Sequence, residues 1–365
     1  MVYERDNIHR LTPYTPGEQP LVADVVKLNT NENPYPPPRA VIEAIHEVSA
    51  DQLRRYPPPR AQQFRETAAR LHGLSPEQVI ATNGGDELLR MAITVYCEPG
   101  GRGLGETYPT YSLYDVLADI HGTTVSQVPL DEDWSVPEDF AAQLNDRGCR
   151  LALLVNPHAP SGRLEPLDKL ERLARAFRGV LLIDEAYVDF AESDAIPLLD
   201  PARGLDNVLL LRTLSKGYSL AGLRFGYGLG HPRIIEALDK ARDSYNTDVL
   251  SQAAAVAALR SRDEARESWK KVIAERIRLT AALTDRGFTV APSQSNFVLA
   301  APPKGGVPAQ ALYRALHDRA IFVRYWDAPR INDRLRITVG TPEQNDALLA
   351  AIADITSDRR SQATA

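Results

Sequence analysis

Residues 208–227 read VLLLRTLSKGYSLAGLRFGY. The first four are an unbroken apolar run that stops at Arg212 and Thr213. A strand covered on both faces has no reason to alternate, so this run reads as a buried strand of a mostly parallel sheet. Ser215, Lys216 and Gly217 follow, and Arg224 stands eight positions past the lysine. Open α/β sheets bind ligands beyond the C-terminal ends of their strands, so chemistry is expected at this exit. A lysine at a strand exit is ordinarily a solvated surface group. With Ser215 and Gly217 on either side and an arginine beyond, it suits an anionic phosphate beside a reactive amine.

The same pattern recurs on the N-terminal side. Val180–Ile183 runs into Asp184-Glu-Ala-Tyr187, and Val79–Thr82 runs into Asn83-Gly-Gly-Asp-Glu87 and a helical pattern through Cys97. Leu151–Val155 is followed by a loop and a helix near Leu167–Phe177. Alone, Asp184 reads as a helix cap, and a glycine pair before a helix is weak evidence for a phosphate site. Together the three exits have a joint explanation in pyridoxal phosphate. That cofactor needs an amine for its Schiff base, which Lys216 supplies. It needs an anion beside its ring nitrogen, which Asp184 supplies, and a phosphate cup, which Gly85, Asp86, Ser215 and Arg224 can build.

The rest of the chain sets the frame. At 365 residues it predicts one large and one smaller domain. Residues 1–38, rich in Pro and Asn, read as an extended arm packing with the small domain. Residues 39–240 read as the large domain, and residues 241–365 as a smaller C-terminal α/β domain with a long connecting helix over Asp263–Arg286. Its short strands are expected at Asn296–Leu299, Ile321–Arg324 and Leu335–Val339. Apolar spacing predicts helices around Val41–Val48 and over Ala61–Leu71, with the break RRYPPPR between them. Gly100–Gly103 reads as a turn before a strand. Lys plus Arg is 42 and Asp plus Glu is 48, so the net charge of −6 argues against a nucleic-acid partner. No apolar run is long enough to span a membrane, and the polar start MVYERDNIHRLTPYTPG does not resemble a signal peptide. Cys97 and Cys149 make neither a disulfide framework nor a zinc cluster, so no metal is expected, and a reducing cytoplasm fits.

The motifs TLSKGYSLAGLRFGY, LLIDEAY, TNGGDE, PTYSLY and LRITVGT resemble the histidinol-phosphate aminotransferase family, a branch of the fold-type I aminotransferases. The resemblance runs from LTPY at residue 11 to the last helix, and its branch-specific part rests on LTPY, NENPYPPP, RRYP and VR…LRITVGT. It implies a large domain with a mostly parallel central sheet between helices, plus a smaller C-terminal α/β domain. It implies a homodimer that moves an amino group from histidinol phosphate to 2-oxoglutarate in histidine biosynthesis. The implied roles are specific. Tyr111 stacks on the cofactor ring, Asp184 pairs with the ring nitrogen, and Tyr187 donates to the ring's phenolic oxygen. Thr213 and Asn156 join the cofactor-binding set. Tyr56 crosses to the neighbouring subunit's phosphate. Arg336 takes the substrate anion, Arg324 and Tyr14 the substrate phosphate, and Asn29 and Asn296 line the pocket.

One departure stands out. The family carries an Asn before Pro-Thr-Gly that also donates to the phenolic oxygen. Here the loop reads Asn156-Pro-His-Ala-Pro-Ser-Gly162, with Ala159 at that position. His158 is expected to face solvent, the alternative being that it turns inward and donates instead. Three other functions stay open: an aminotransferase for aromatic or other amino acids, a decarboxylase of a phosphorylated amino acid, and a transcription regulator. The last needs a DNA-binding module, for which the arm before Val41 is too short.

Overall fold

The apolar runs lie side by side in one sheet. The computed structural model describes residues 3–20 and 25–363. Among these the strands are β1 (Val26–Lys27), β2 (Val79–Thr82), β3 (Arg102–Tyr108), β4 (Thr124–Pro129), β5 (Leu151–Val155), β6 (Val180–Asp184), β7 (Val208–Thr213), β8 (Gly226–Gly230), β9 (Thr289–Val290), β10 (Phe297–Ala301), β11 (Ile321–Phe322) and β12 (Leu335–Thr338). Seven form a sheet in the order β2-β8-β7-β6-β5-β3-β4. Neighbours are parallel except at β8, which runs against both β2 and β7.

The central strands are buried on both faces, and their side chains alternate between two cores. Leu181, Ile183, Val208 and Leu210 pack with residues of helices Gln62–His72, Phe140–Asp146 and Leu167–Ala176. Leu182, Leu209 and Leu211 face the other side, with Leu88, Leu117 and Leu238 of helices Gly84–Tyr96, Leu113–His121 and Pro232–Ala241. Cys97, read as a helix-packing residue, is buried in this second core just past the helix end. No helix among the described residues is long and apolar enough to cross a membrane.

Strand β8, Gly226-Tyr-Gly-Leu-Gly230, has no counterpart in the sequence reading, because three glycines erase the apolar signature. The glycines are there for closeness. A Cβ on Gly226 would stand 2.7 Å from the Gly84 carbonyl carbon, and one on Gly228 would stand 2.9 Å from Ile80. Only a bare backbone lets β8 lie against the turn that follows β2.

A second body has its own core, built from Leu279, Leu283, Val298, Leu312, Ile337, Leu348 and neighbours. Its sheet is β12-β10-β9, antiparallel, flanked by helices Arg262–Asp285, Ala309–His317 and Pro342–Ala363. The N-terminal arm is shared between the bodies. Its β1 pairs in parallel with β11 and its Leu28 enters the small core. Its short helix Asp6–Arg10 rests on the large body, where Arg5 and Asn7 donate to the carbonyls of Ile120 and Asp119. The chain also stays with the large body past residue 240: helix Val249–Arg260 packs on helices Arg39–His46 and Gln62–His72.

Candidate active site

The exits of the large sheet converge on one cleft of about 480 Å³. Gly85 and Asp86 reach it after β2, Tyr111 after β3, and Ala159 and Pro160 after β5. Asp184 and Tyr187 reach it from β6, Thr213, Ser215 and Lys216 from β7, and Arg224 from just before the reversed β8. Because β8 is antiparallel, its start lies at the same edge as the ends of its neighbours, which brings Arg224 to Gly84 and Asp86. Arg224 adopts a left-handed backbone (φ +57°) and its guanidinium lies 3.4 Å from Asp86. Gly84 has a left-handed backbone (φ +75°), which favours glycine, and a Cβ there would stand 2.8 Å from that guanidinium. Helix Gly84–Tyr96 starts at this end, and its first-turn N–H groups favour an anion. Thr213 and Ser215 share a hydroxyl hydrogen bond of 2.9 Å beside it.

Lys216 is half-buried at the cleft, and its amine donates to the Thr30 carbonyl at 3.1 Å. Burial, then the positive charge of Arg336, lowers its pKa to about 8. Asp184 is buried. Burial raises its pKa to about 6, while hydrogen bonds from the Tyr114 hydroxyl (2.8 Å) and the Ala186 N–H (3.0 Å) pull it back down. A cation placed beside Asp184 would hold it ionised. A half-buried amine with a lowered pKa, a buried carboxylate in no ion pair among the described residues, and a glycine–arginine anion cup fit pyridoxal phosphate part for part.

The opposite wall comes from the arm and the small body. Arg324 and Arg336 are backbone partners, and their guanidinium carbons lie 5.2 and 5.1 Å from the Trp326 ring centre. Arg336 also covers the Phe297 ring and donates to the Asn29 carbonyl at 2.8 Å, and its buried Nε has no partner among the described residues. Arg324 donates to the Thr15 and Pro16 carbonyls at 3.2 and 3.4 Å. Tyr14 meets Tyr111 edge-on at 5.9 Å, and Asn29 lines the cleft with a side-chain oxygen that has no partner among the described residues.

Some expected residues are elsewhere. Asn156 does not line the cleft: its amide clasps Glu165, accepting from the Glu165 N–H at 2.7 Å and donating to its carbonyl at 3.4 Å. It holds the loop's ends together. His158 is neither solvent-facing nor a donor to the cleft. It is buried, paired with the Pro109 carbonyl (2.9 Å) and the Ser161 hydroxyl (2.7 Å), and stacked near Trp134. Burial lowers its pKa to about 4, so it is neutral. Asn296 is buried outside the cleft and donates to the Asn31 carbonyl at 2.9 Å. Tyr56 does not line its own chain's cleft. It is 80% exposed and stacked on Tyr245 at 4.4 Å.

Three residues with a place in the site were not singled out. Tyr114, read as a core tyrosine, is in the core, but its hydroxyl serves Asp184. Its signal is its position one helical turn past Tyr111. Asn31 donates to the Tyr187 hydroxyl at 3.0 Å, and its signal is the NENP motif. Trp326 lies beside both arginines, and no local pattern marks it.

The model of the aminotransferase class I and II family matches residues 23–352. The chain is 42% identical to histidinol-phosphate aminotransferase 1 of Trichormus variabilis, across 97% of this chain and 99% of that one. It is 44% identical to histidinol-phosphate aminotransferase 1 of Burkholderia pseudomallei, across 97% and 98%. Among solved structures, the histidinol-phosphate aminotransferase of Sinorhizobium meliloti in complex with pyridoxal-5'-phosphate superposes with a TM-score of 0.88 at 27% identity, covering 98% of this chain and 99% of that one. A mutant aspartate aminotransferase of Thermus thermophilus shares the fold at a TM-score of 0.82 and 21% identity, covering 97% and 100%.

Proposed function

The chain belongs to the class I and II aminotransferase family, and on that premise we propose that it moves the amino group of histidinol phosphate to a 2-oxo acid such as 2-oxoglutarate. The observation that carries the substrate is the second wall, where Arg324 and Arg336 both lie beside the Trp326 ring in the cleft that Lys216 lines. One arginine can take a phosphate while the indole offers an apolar face to the imidazole end. Relatives that share over 40% of this sequence carry the same substrate in their names.

The cofactor is pyridoxal phosphate, which when bound supplies an aldehyde that captures amines and a ring that draws electrons from the adjoining carbon. Lys216 would hold the cofactor through that aldehyde. With its lowered pKa the Lys216 amine could accept a proton from the substrate carbon near neutral pH and would return it on the far side of the substrate nitrogen. Asp184 holds the ring nitrogen protonated, with Tyr114 behind it. Tyr187 donates to the ring's phenolic oxygen and Tyr111 stacks on the ring. Gly85, Asp86, Thr213, Ser215 and Arg224 cradle the phosphate. Tyr14 and Asn29 complete the substrate end. The enzyme works as a homodimer in the cytoplasm, and the exposed Tyr56 of each copy reaches the other's phosphate cup.

The test is a half-reaction survey. The cofactor-loaded enzyme is mixed with histidinol phosphate, an aromatic amino acid or threonine phosphate, and the visible band is followed. Histidinol phosphate should bleach it fastest. Equal rates with the unphosphorylated aromatic amine would favour a general aromatic aminotransferase, and release of carbon dioxide from threonine phosphate a decarboxylase.

A further inference from the structure

Resting on the aminotransferase reading, we propose that Asn31 is the positioning residue that aims the Tyr187 hydroxyl proton at the cofactor's ring oxygen. The Asn31 amide donates to Tyr187 Oη at 3.0 Å. An amide N–H occupies a lone pair on the phenol oxygen and leaves the phenol proton for another acceptor. Among the described residues no side chain or backbone carbonyl accepts that proton, and Tyr187 lines the cleft. The titratable groups around it are Asp184, Lys216, Arg336, Tyr14 and Tyr111, and none hydrogen-bonds its hydroxyl.

Asn31 is itself fixed from three directions. The Thr338 hydroxyl donates to its Oδ1 at 3.0 Å and accepts from its backbone N–H at 3.0 Å. The Asn296 amide donates to its carbonyl at 2.9 Å. Its backbone is left-handed (φ +56°), a region asparagine enters more readily than most residues. Side chain and backbone are therefore both committed, as a positioning group requires. Every one of these anchors belongs to the small body, whereas Tyr187 hangs from β6 of the large sheet. With Ala159 offering no donor to the cleft, the aim of Tyr187 matters more here than it would beside an asparagine.

The experiment is a spectroscopic pH titration of the cofactor-loaded enzyme, read from the visible absorbance of the Lys216–cofactor link. A well-aimed donor at the ring oxygen lowers the pKa of that absorbance change. Asn31→Gly keeps the left-handed backbone accessible and removes the amide. It should move the pKa up by roughly a few tenths to one pH unit, the scale of one hydrogen bond. In a Tyr187→Phe background the same substitution should add nothing, because Asn31 acts through that hydroxyl. Thr338→Val, which loosens Asn31 from outside the cleft, should move the pKa the same way by less, and it carries the test if Asn31→Gly does not fold. No shift in either variant overturns the proposal, as does an equal shift in both Tyr187 backgrounds. A downward shift also overturns it, since the amide would then be turned over and accepting the Tyr187 proton. A wild-type enzyme with no visible band and no borohydride-trapped Lys216 would instead sink the aminotransferase reading itself.

Discussion

On one wall of the cleft, Asp184 closes β6, Lys216 follows β7 and Gly85 follows β2, so each functional group hangs from the end of a fully buried strand. On the facing wall, Arg324, Trp326 and Arg336 come from short strands and a loop, and Tyr14, Asn29 and Asn31 from an arm laid across both bodies. The first wall takes its geometry from a sheet that could hardly be built otherwise. The second is assembled from segments distant in sequence, tied by side-chain to backbone hydrogen bonds such as those from Arg324 to Thr15 and from Arg336 to Asn29. A cofactor common to a family belongs on the first kind of wall, and a substrate that distinguishes its branches on the second.

That division can be broken by substitution. Lys216→Ala should abolish turnover and the visible lysine–cofactor band together, whatever the substrate. Borohydride reduction and peptide mapping check this, and a trapped link at another residue would remove Lys216 from its role. Arg324→Ala should leave that band in place and weaken kcat/KM for a phosphorylated substrate by about 1.5–3 kcal/mol, the worth of a charge-assisted hydrogen bond. An aromatic amine without phosphate should lose much less. Equal losses for both would mean that Arg324 does not read phosphate.

Ala159→Asn tests the first wall more finely. A new donor at the ring oxygen stabilises the phenolate, so the pKa of the absorbance change should fall, on the order of one unit. His158→Ala should leave that titration where it is, because both His158 ring nitrogens are engaged by the Pro109 carbonyl and the Ser161 hydroxyl and His158 does not line the cleft, and should register only as lost thermal stability. The smallest shift in a pH profile is expected from Tyr114→Phe. The Tyr114 hydroxyl favours the Asp184 carboxylate, whose pKa burial has raised to about 6. Cofactor affinity that depends on this anion is present above that pKa and lost as pH falls through it. Without the hydroxyl the loss should begin at higher pH, by under one unit for a bond of roughly 1 kcal/mol. Cofactor dissociation constants measured across pH 5–8 would show it, and an unmoved profile would reduce Tyr114 to packing.

The two walls also differ in how far the sequence discloses them. Buried parallel strands are continuous apolar runs, so β5, β6 and β7 and the residues at their ends were legible. Strand β8 was not, because its glycines serve a close backbone approach instead of a core. The boundary at residue 240 was drawn where the strand pattern changes, but helix Val249–Arg260 still packs on the large body, and no local pattern records which body a helix joins. Tyr114 and Asn31 were invisible as functional groups for a related reason: each acts on a partner far along the chain, Asp184 and Tyr187. The sequence places His158 in solvent because the motif's backbone normally points that side chain away from the ring. Here the Pro109 carbonyl and Ser161 hydroxyl satisfy both ring nitrogens, which removes the cost of burying it.

The loop from Asn156 to Gly162 is closed by the Asn156–Glu165 clasp and by His158 and Ser161, none of which involves the side chain at 159. The Ala159 methyl packs in the second core and lines the cleft. Such a site is a natural place for divergence. Selection, or an engineer, can exchange its side chain and retune the electron demand of the bound ring without renegotiating the scaffold that presents it.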